Sequence, residues 1–544
     1  MREGIVREAF APTAAGQRLG IEDREGRHWQ VECLGEAVDV GARIDFEPLE
    51  PDSASRGQLI RVRAAARTSW VARVRRVGKQ LELLPFGGVE APELLLAEGA
   101  SKGAEDGDRV VVVPLTDKQA ARGSGARRGG RGRSGRSGLP VRVLEVLGPA
   151  GDATADFRAL AWKHRLPLTF TRRARLEAEA LPAEWSRASL ERRTDLRHLA
   201  FVTIDPATAR DHDDAVFAEA RAAEPSLRVE SGAESGGRSA SPKGLRRAGG
   251  GFSQRLWVAI ADVGHFVEPG GWIDAEARRR GNSFYFPDRA IPMLPERLSS
   301  DLCSLRPDVD RLAMVAELRL DARGTVVDAL FHEAVIRSRA RLSYQEAAAF
   351  LDSKAGAPGA ANPAAEPEWA ESLRRLDTIA QSLGQARAEA GALMLELPEI
   401  EVVVDDAGRA VDARVRGRNR AHVLIEEAML AANRAVARAL DAAGRPTVHR
   451  VHAPPDANRL DQLRQRFERH GVDLPEEIER PGVLAEALAA VRGDPAEERL
   501  HEAVLRAMSQ ARYEAEARGH YALRFEHYLH FTSPIRRYAD LEVH

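Results

Sequence analysis

The run Thr203-Ile204-Asp205-Pro206-Ala207-Thr208-Ala209-Arg210-Asp211-His212-Asp213-Asp214-Ala215 constrains this chain more than any other stretch, because it sets four aspartates close together between apolar flanks. Leu199-Ala200-Phe201-Val202 precedes it and reads as a strand. Asp205-Pro206 ends that strand, since proline cannot donate to a sheet ladder and restricts the residue before it. Ala215-Val216-Phe217 follows, so two buried segments pin the loop. Four carboxylates this close cannot all stay ionised in a cleft unless a cation neutralises them. Hard oxygen ligands without cysteine suit Mg²⁺, with Mn²⁺ as the alternative, and not zinc. An acidic solvated turn is the other reading of such a loop; the apolar flanks favour a metal site.

At 544 residues the chain has room for several domains. A formal net charge of −2 excludes nothing about partners. The basic residues are arginines except Lys79, Lys102, Lys118, Lys163, Lys243 and Lys354. That bias is discounted as a nucleic-acid signal, although a positioned arginine does hold phosphate in a planar, bidentate way. Cys33 and Cys303 set no disulfide framework. The opening MREGIVREAF has no signal-peptide apolar core, and no apolar run approaches a membrane span. The cytoplasm is the expected compartment, with no membrane partner, and a monomer is expected.

The fold class expected is multidomain α+β: two small N-terminal barrels, then a mixed α/β domain. Residues 1–65 contain short, evenly spaced strand segments such as Gly4-Ile5-Val6 and His28-Trp29-Gln30-Val31. Residues 66–150 repeat the pattern, with a firm strand start at Gly107-Asp108 before four valines. Two such barrels are consistent with OB-type modules, which bind single strands by stacking and basic grooves. Trp29 and Trp70 are expected in the barrel cores. A basic Gly/Ser/Arg run at 119–138 and a second mixed segment at about 222–253 are expected to be disordered insertions. The remaining domain is 151–544.

Within it, strand alternation puts Tyr285 on the opposite face from Phe284 and Phe286, which leaves one ring free to stack a base. Arg337, Arg339 and Arg341 alternate on what reads as one strand, a solvated edge or a phosphate-facing stripe. Helices are expected over 368–390, 420–443 and 501–518, with Glu426 and Glu427 structural. Ser533 and Pro534 read as the N-cap and first residue of a helix. Arg536 and Arg537 would then lie in its first turn, where the dipole disfavours cations unless an anion sits there.

The pieces RTDLRHLAFVTIDPATARDHDDAV, VAIADVGHFVEPGG, RGNSFYFPDRAIPMLPERLSSDLCSLRPDVDRLAM, SRARLSY, AHVLIEEAMLAAN and GHYALRFEHYLHFTSPIRRYADLEVH together resemble the ribonuclease II/ribonuclease R family of processive 3′-to-5′ exoribonucleases. They run from about residue 192 to 544, and YFP, IPMLPE and HFTSPIRRYADL favour the ribonuclease R side. The resemblance implies a pair of cold-shock-type barrels ahead of a ribonuclease II-type catalytic domain. It implies single-stranded RNA as substrate and nucleoside 5′-monophosphates as products. It implies that Asp205 and Asp214 hold Mg²⁺, that Asp211 assists, that Asp213 is critical for turnover and that Tyr285 stacks a base. Arg536 falls on the transition-state arginine of the TSPIR motif, with Arg537 beside it at the RNA. Leu395 stands where the family commonly has a second stacking aromatic. The family usually continues into a C-terminal OB-type domain, so the chain is expected to be C-terminally truncated. Two other readings remain open: a non-catalytic RNA-binding protein, and a metal-dependent phosphodiesterase acting on DNA.

Overall fold

The computed structural model describes residues 2–9, 17–23, 28–33, 43–48, 56–64, 69–87, 93–115, 139–183, 185, 190–221, 252–353, 366–395, 397–475, 478, 480 and 482–544. Both expected insertions lie outside these residues apart from their edges. The chain divides into two compact units, 1–168 with 404–410, and 169–403 with 411–544.

The first unit opens with β1 (Arg2–Ala9), β2 (Gln17–Asp23), β3 (His28–Cys33), β4 (Arg43–Pro48) and β5 (Arg56–Ala64), closed into a barrel in the order β1-β2-β3-β5-β4. Only β3 and β5 run parallel. Register shifts in β1 between Val6 and Glu8, and in β4, supply the bends that closure needs. Leu19, Ile21, Trp29, Val31 and Phe46 fill the interior at strand period, with the Trp29 and Phe46 rings 5.2 Å apart. Trp29 is a core residue, as expected.

A second sheet holds β6 (Trp70–Val77), β7 (Gln80–Pro85), β8 (Leu94–Leu96), β9 (Asp108–Pro114) and β10 (Leu139–Pro149), in the order β7-β6-β9-β10-β8. This is the circular order of the first barrel with one ladder, between its second and third strands, left open. Both follow the OB-type order expected. The valine run reads as continuous because both faces of β9 are covered. Val110 and Val112 meet Ala72 and Val74, whereas Val111 meets Leu147 and Ala159. Ala159 belongs to α1 (Ala153–His164), which Asp152 caps through the Ala155 amide. The boundary expected near residue 150 precedes α1, which goes with the second sheet.

The second unit begins with α2 (Arg172–Ala180) and is built on seven strands: β11 (Thr194–Asp195), β12 (Val202–Asp205), β13 (Asp214–Ala220), β14 (Gln254–Ala261), β17 (Asp310–Leu320), β18 (Val326–Arg337) and β19 (Ala340–Ser343). Their order is β11-β18-β17-β14-β13-β12-β19. β14 shows why both faces are buried. Leu256, Val258 and Ile260 join one core, and Trp257, Ala259 and Ala261 the other. The first core also takes Leu373, Leu376, Leu424 and Ala428 from α5 (Ala370–Glu389) and α6 (Arg420–Ala442), and Ala347 from α4 (Tyr344–Asp352). The second takes Ile273 and Ala277 from α3 (Trp272–Arg280). β15 (Phe284–Tyr285) pairs with β16 (Ala290–Ile291), and β20 (Glu399–Val404) with β21 (Ala410–Arg416). A third apolar cluster gathers α7 (Ala457–Glu468), α8 (Val483–Ala490) and α9 (Glu497–Ala507). Leu395 packs against it. β22 (His449–Val451), β23 (Arg512–Glu514) and α10 (Tyr538–Val543) complete the unit. No helix among the described residues is long and apolar enough to cross a membrane.

Two expectations need correction. The helix expected over 501–518 ends at Ala507, and Arg512–Glu514 pairs as β23 with β22. The polar Ser509 turns the chain, its hydroxyl donating to the Pro454 carbonyl. The arginines at 337, 339 and 341 are not one stripe. β18 stops at Arg337, and buried Ser338 bonds to the Ala340 carbonyl as the chain leaves to pair β19 with β12. Arg337 then meets Asp310, Arg339 meets Glu368, and Arg341 reaches the Ala207 carbonyl.

Glu427 is structural, as expected. Its side chain and that of Arg387 are 3 % and 6 % exposed and pair between α6 and α5. Removing one member of a buried pair strands the other's charge and costs about 3–5 kcal/mol. Arg387→Met is therefore expected to lower the urea midpoint sharply. The double change Arg387→Met with Glu427→Leu should recover most of the loss. A single variant as stable as the parent would place the pair outside the core balance.

Candidate active site

β12 and β13 are neighbours in the sheet, so the acidic loop joins their ends. Asp205 closes β12 and Asp214 opens β13. A turn at Pro206 starts the loop, with the Ala209 amide donating to the Pro206 carbonyl. Ser304 then fixes it from outside. Its hydroxyl accepts from the His212 amide at 3.1 Å and donates to the Arg210 carbonyl at 3.1 Å. The Leu305 amide donates to the His212 carbonyl.

Each aspartate has a distinct partner. Asp205 pairs with Nδ1 of buried His212 at 2.6 Å, which fixes the carboxylate's rotamer. Asp211 accepts from the Tyr285 hydroxyl at 3.0 Å. Asp213 is 4 % exposed; its Oδ1 accepts from the Ile535 amide at 2.8 Å and its Oδ2 stands 3.7 Å from Arg536 Nε. Burial pushes the Asp213 carboxyl up to about 8, against the opposing pull of Arg536 and the Ile535 amide. Burial and then the Asp205 and Asp213 carboxylates push Asp214 well above the usual carboxylate range.

The chain brings Tyr285 and Arg536 to this loop through one shared stretch of backbone. Ser283 donates to the Arg536 carbonyl, and Asn282 bridges to Arg537. Tyr285 stays 57 % exposed while the flanking Phe284 and Phe286 are partly covered, as alternation predicts. Burial of its hydroxyl and the Asp211 carboxylate both raise its pKa, so it remains a donor.

Ser533 does not cap a helix. The Arg536 and Arg537 amides both donate to its carbonyl in a turn, and α10 starts only at Tyr538. The Ser533 hydroxyl, which would cap a helix, instead accepts from Arg536 Nη2 at 3.0 Å, and the buried Asp540 accepts from the Ser533 amide and from Arg537 Nη2 at 2.7 Å. Arg536 is left 45 % exposed beside Asp213, whereas Arg537 is committed to Asp540.

Sequence reasoning missed three participants. His212 and the Ile535 amide carry no chemical signature of their own beyond adjacency to the motifs. Tyr344, whose ring stacks on His422 at 3.9 Å, lies within electrostatic reach of Asp205 and Asp214. Its place after β19, the strand paired with β12, was the available signal. A cavity of about 190 Å³ between α5 and α6, lined by Arg387, Glu427 and Phe525 among others, contains none of the loop aspartates.

Among the described residues, no three His, Cys, Asp or Glu side chains converge closely enough to hold a metal ion unaided. The donor chemistry still fits a hard divalent cation. The Asp205 and Asp213 carboxylates raise the proton affinity of Asp214 here, and Mg²⁺ binds through one or two carboxylates while water and phosphate oxygens complete its shell.

A family model described as the RNB domain matches residues 193–544, which includes every residue of this site. The chain belongs to the RNB family. Its RNB domain and the barrels before it are similar to ribonuclease R of Aquifex aeolicus, 35% identical over 496 residues, covering 90% of this chain and 62% of that protein. Ribonuclease R of Escherichia coli is 37% identical over 405 residues, 74% of this chain and 46% of that protein. The chain thus spans about half to three-fifths of these relatives. In fold, the RNB chain is similar to Mycoplasma genitalium RNase R solved with ribose-methylated single-stranded RNA (TM-score 0.71, 23% identity, 99% of this chain and 78% of that one). It is also similar to yeast Ssd1, described as a pseudonuclease (TM-score 0.65, 16% identity, 100% and 68%). With both neighbours the likeness is one of fold.

Proposed function

We propose that this chain carries the catalytic apparatus of a 3′-to-5′ exoribonuclease that hydrolyses single-stranded RNA to nucleoside 5′-monophosphates with Mg²⁺ or Mn²⁺. The observation that carries this reading is the junction of Asp213 with Ile535 and Arg536, which brings the acidic loop and the arginine turn to one point. A pure binder has no use for four carboxylates facing an RNA phosphate.

Asp205 and Asp214, with Asp211 beside them, would hold the cation. When bound, the cation supplies charge stabilisation for an in-line displacement at phosphorus and a more acidic water. His212 keeps Asp205 in place. Asp213 would orient the attacking water and accept its proton. Arg536 offsets charge on the equatorial phosphate oxygens. Tyr285 offers its open ring to the terminal base and its hydroxyl to Asp211. No side-chain nucleophile is needed.

The test is incubation of 5′-labelled single-stranded RNA and DNA with Mg²⁺, with products resolved on a sequencing gel. A ladder that shortens from the 3′ end of RNA, is stopped by EDTA and is restored by Mg²⁺ or Mn²⁺ is expected. Cleavage within a circular RNA, or rescue by zinc alone, would overturn the reading; efficient digestion of DNA would favour the phosphodiesterase alternative.

Tyr285→Ala is expected to weaken the grip on terminal nucleotides by roughly 1–3 kcal/mol. The limit product should change in length while the melting temperature stays level. An unchanged ladder with a large loss of thermal stability would assign the ring to packing instead.

A further inference from the structure

Tyr513 lies at the centre of β23 and is 42 % exposed. Tyr528, on the adjoining segment, is 6 % exposed. A tyrosine serving only as filler would be covered as Tyr528 is. Arg450 is the direct partner of Tyr513 across the β22–β23 ladder, and its guanidinium lies 4.8 Å from the ring centroid. The cation stacks on one face of the ring.

The Tyr513 hydroxyl stands 2.7 Å from His530 Nδ1. Burial, then Arg537 and Arg450, lower the His530 pKa to about 3, so the imidazole is neutral. Nδ1 accepts from the hydroxyl and the ring proton sits on Nε2. Arg536 and Arg537 are within electrostatic reach of Tyr513. So is Asp540, but that carboxylate is fully buried and already accepts from Ser533 and Arg537. The ring thus has the Arg450 guanidinium on one face and the neutral His530 imidazole at its hydroxyl. Its position relative to Arg536 is fixed by backbone. The Arg450 amide donates to the Tyr528 carbonyl at 2.9 Å, and the same segment continues through His530 to Arg536.

A ring flanked by cations is the chemistry that binds single-stranded nucleic acid. We propose that Tyr513 and Arg450 form a nucleotide subsite for the RNA strand under degradation, Tyr513 stacking a base and Arg450 contacting the adjoining phosphodiester. This rests on the exoribonuclease reading and extends it to a strand pair outside the acidic loop and the arginine turn.

The test compares the parent chain with Tyr513→Ala, Tyr513→Phe and Arg450→Met. RNA affinity is read by anisotropy in Ca²⁺ across a salt series, and the cleavage rate in single turnovers at saturating RNA. Tyr513→Ala is expected to weaken binding about ten-fold or more while the saturated rate stays within about three-fold. Tyr513→Phe keeps the ring and should keep the affinity. Arg450→Met should weaken binding and lower the slope of log K against log salt by about 0.7, one phosphate contact on a single strand. Unchanged affinity in Tyr513→Ala would overturn the subsite. So would a collapsed saturated rate at parent affinity, which would assign the Tyr513–His530 bond to holding the Arg536 segment. If Tyr513→Ala fails to fold, the salt slope of Arg450→Met decides alone. A parent chain that neither binds nor cleaves RNA overturns the exoribonuclease reading as well; an active parent with unaffected variants overturns only the subsite.

Discussion

Asp213→Asn is expected to reduce single-turnover RNA cleavage by roughly 10²–10⁴-fold, the range for loss of a positioned acid or base, while RNA affinity stays level or rises. The substitution is nearly isosteric, and the amide oxygen can still accept from the Ile535 amide that now holds Oδ1 at 2.8 Å. The loop should therefore keep its shape. What is lost is the charge that faces Arg536 and the basicity needed to take a proton from water. One negative charge fewer near an RNA phosphate cannot weaken binding. Stability gives a second readout in metal-free buffer. The folded carboxyl titrates at about 8 against an ordinary 3.8, so it favours the fold most at low pH and loses that contribution as pH rises through 8. Asp213→Asn does not titrate, and its melting temperature should gain on the parent's more at pH 8 than at pH 5. Binding lost in step with cleavage, or cleavage near the parent rate, would remove Asp213 from the chemistry.

Arg536→Lys is expected to be nearly as damaging despite conserving charge. The guanidinium lies 45 % exposed, tied by Nη2 to the Ser533 hydroxyl at 3.0 Å and facing Asp213 through Nε. A planar fork can serve those partners and two phosphate oxygens together; an ammonium on a flexible stem cannot. Removing one such donor from a developing oxyanion costs about 10²–10³-fold in turnover, with a smaller effect on affinity. Arg537→Lys is the control. Its guanidinium is committed to Asp540, so it should lower the melting temperature more than the rate constant. Turnover that survives in Arg536→Lys and collapses in Arg537→Lys would exchange the two roles.

The local motifs were legible because their chemistry is written in adjacent residues. The alternation at Tyr285 and the α6 stripe rest on periods of two and 3.6 residues, and these survive folding; the strand read on Leu199–Val202 runs instead over Val202–Asp205, because the apolar run marks burial rather than strand pairing. The failures share a cause. Ser533-Pro534 has the composition of a helix start, yet the Arg536 side chain takes the Ser533 hydroxyl and the helix begins only at Tyr538. Arg337, Arg339 and Arg341 have the spacing of a stripe, yet Ser338 marks the place where the chain changes partner strand. Residues 508–514 continue a helical pattern, yet β22 recruits Arg512–Glu514. In each case contacts made on folding overrode local propensity. The Ile535 amide stayed invisible because its role exists only once the loop and the turn have met, and His212 because its pairing with Asp205 exists only once the loop has folded.

The bond between Ile535 and Asp213 also has a meaning in time. Its two ends are 322 residues apart, so at a synthesis rate of ~5–20 residues per second the acidic loop emerges roughly 16–64 s before the amide that orients it. A ribosome making this chain carries the carboxylates beside its own messenger throughout that interval. It does not carry their arrangement, because the Ile535 amide and Arg536 arrive together, in one turn, 322 residues after Asp213. Until that turn is made, the acidic loop lacks both the amide and the guanidinium that face Asp213.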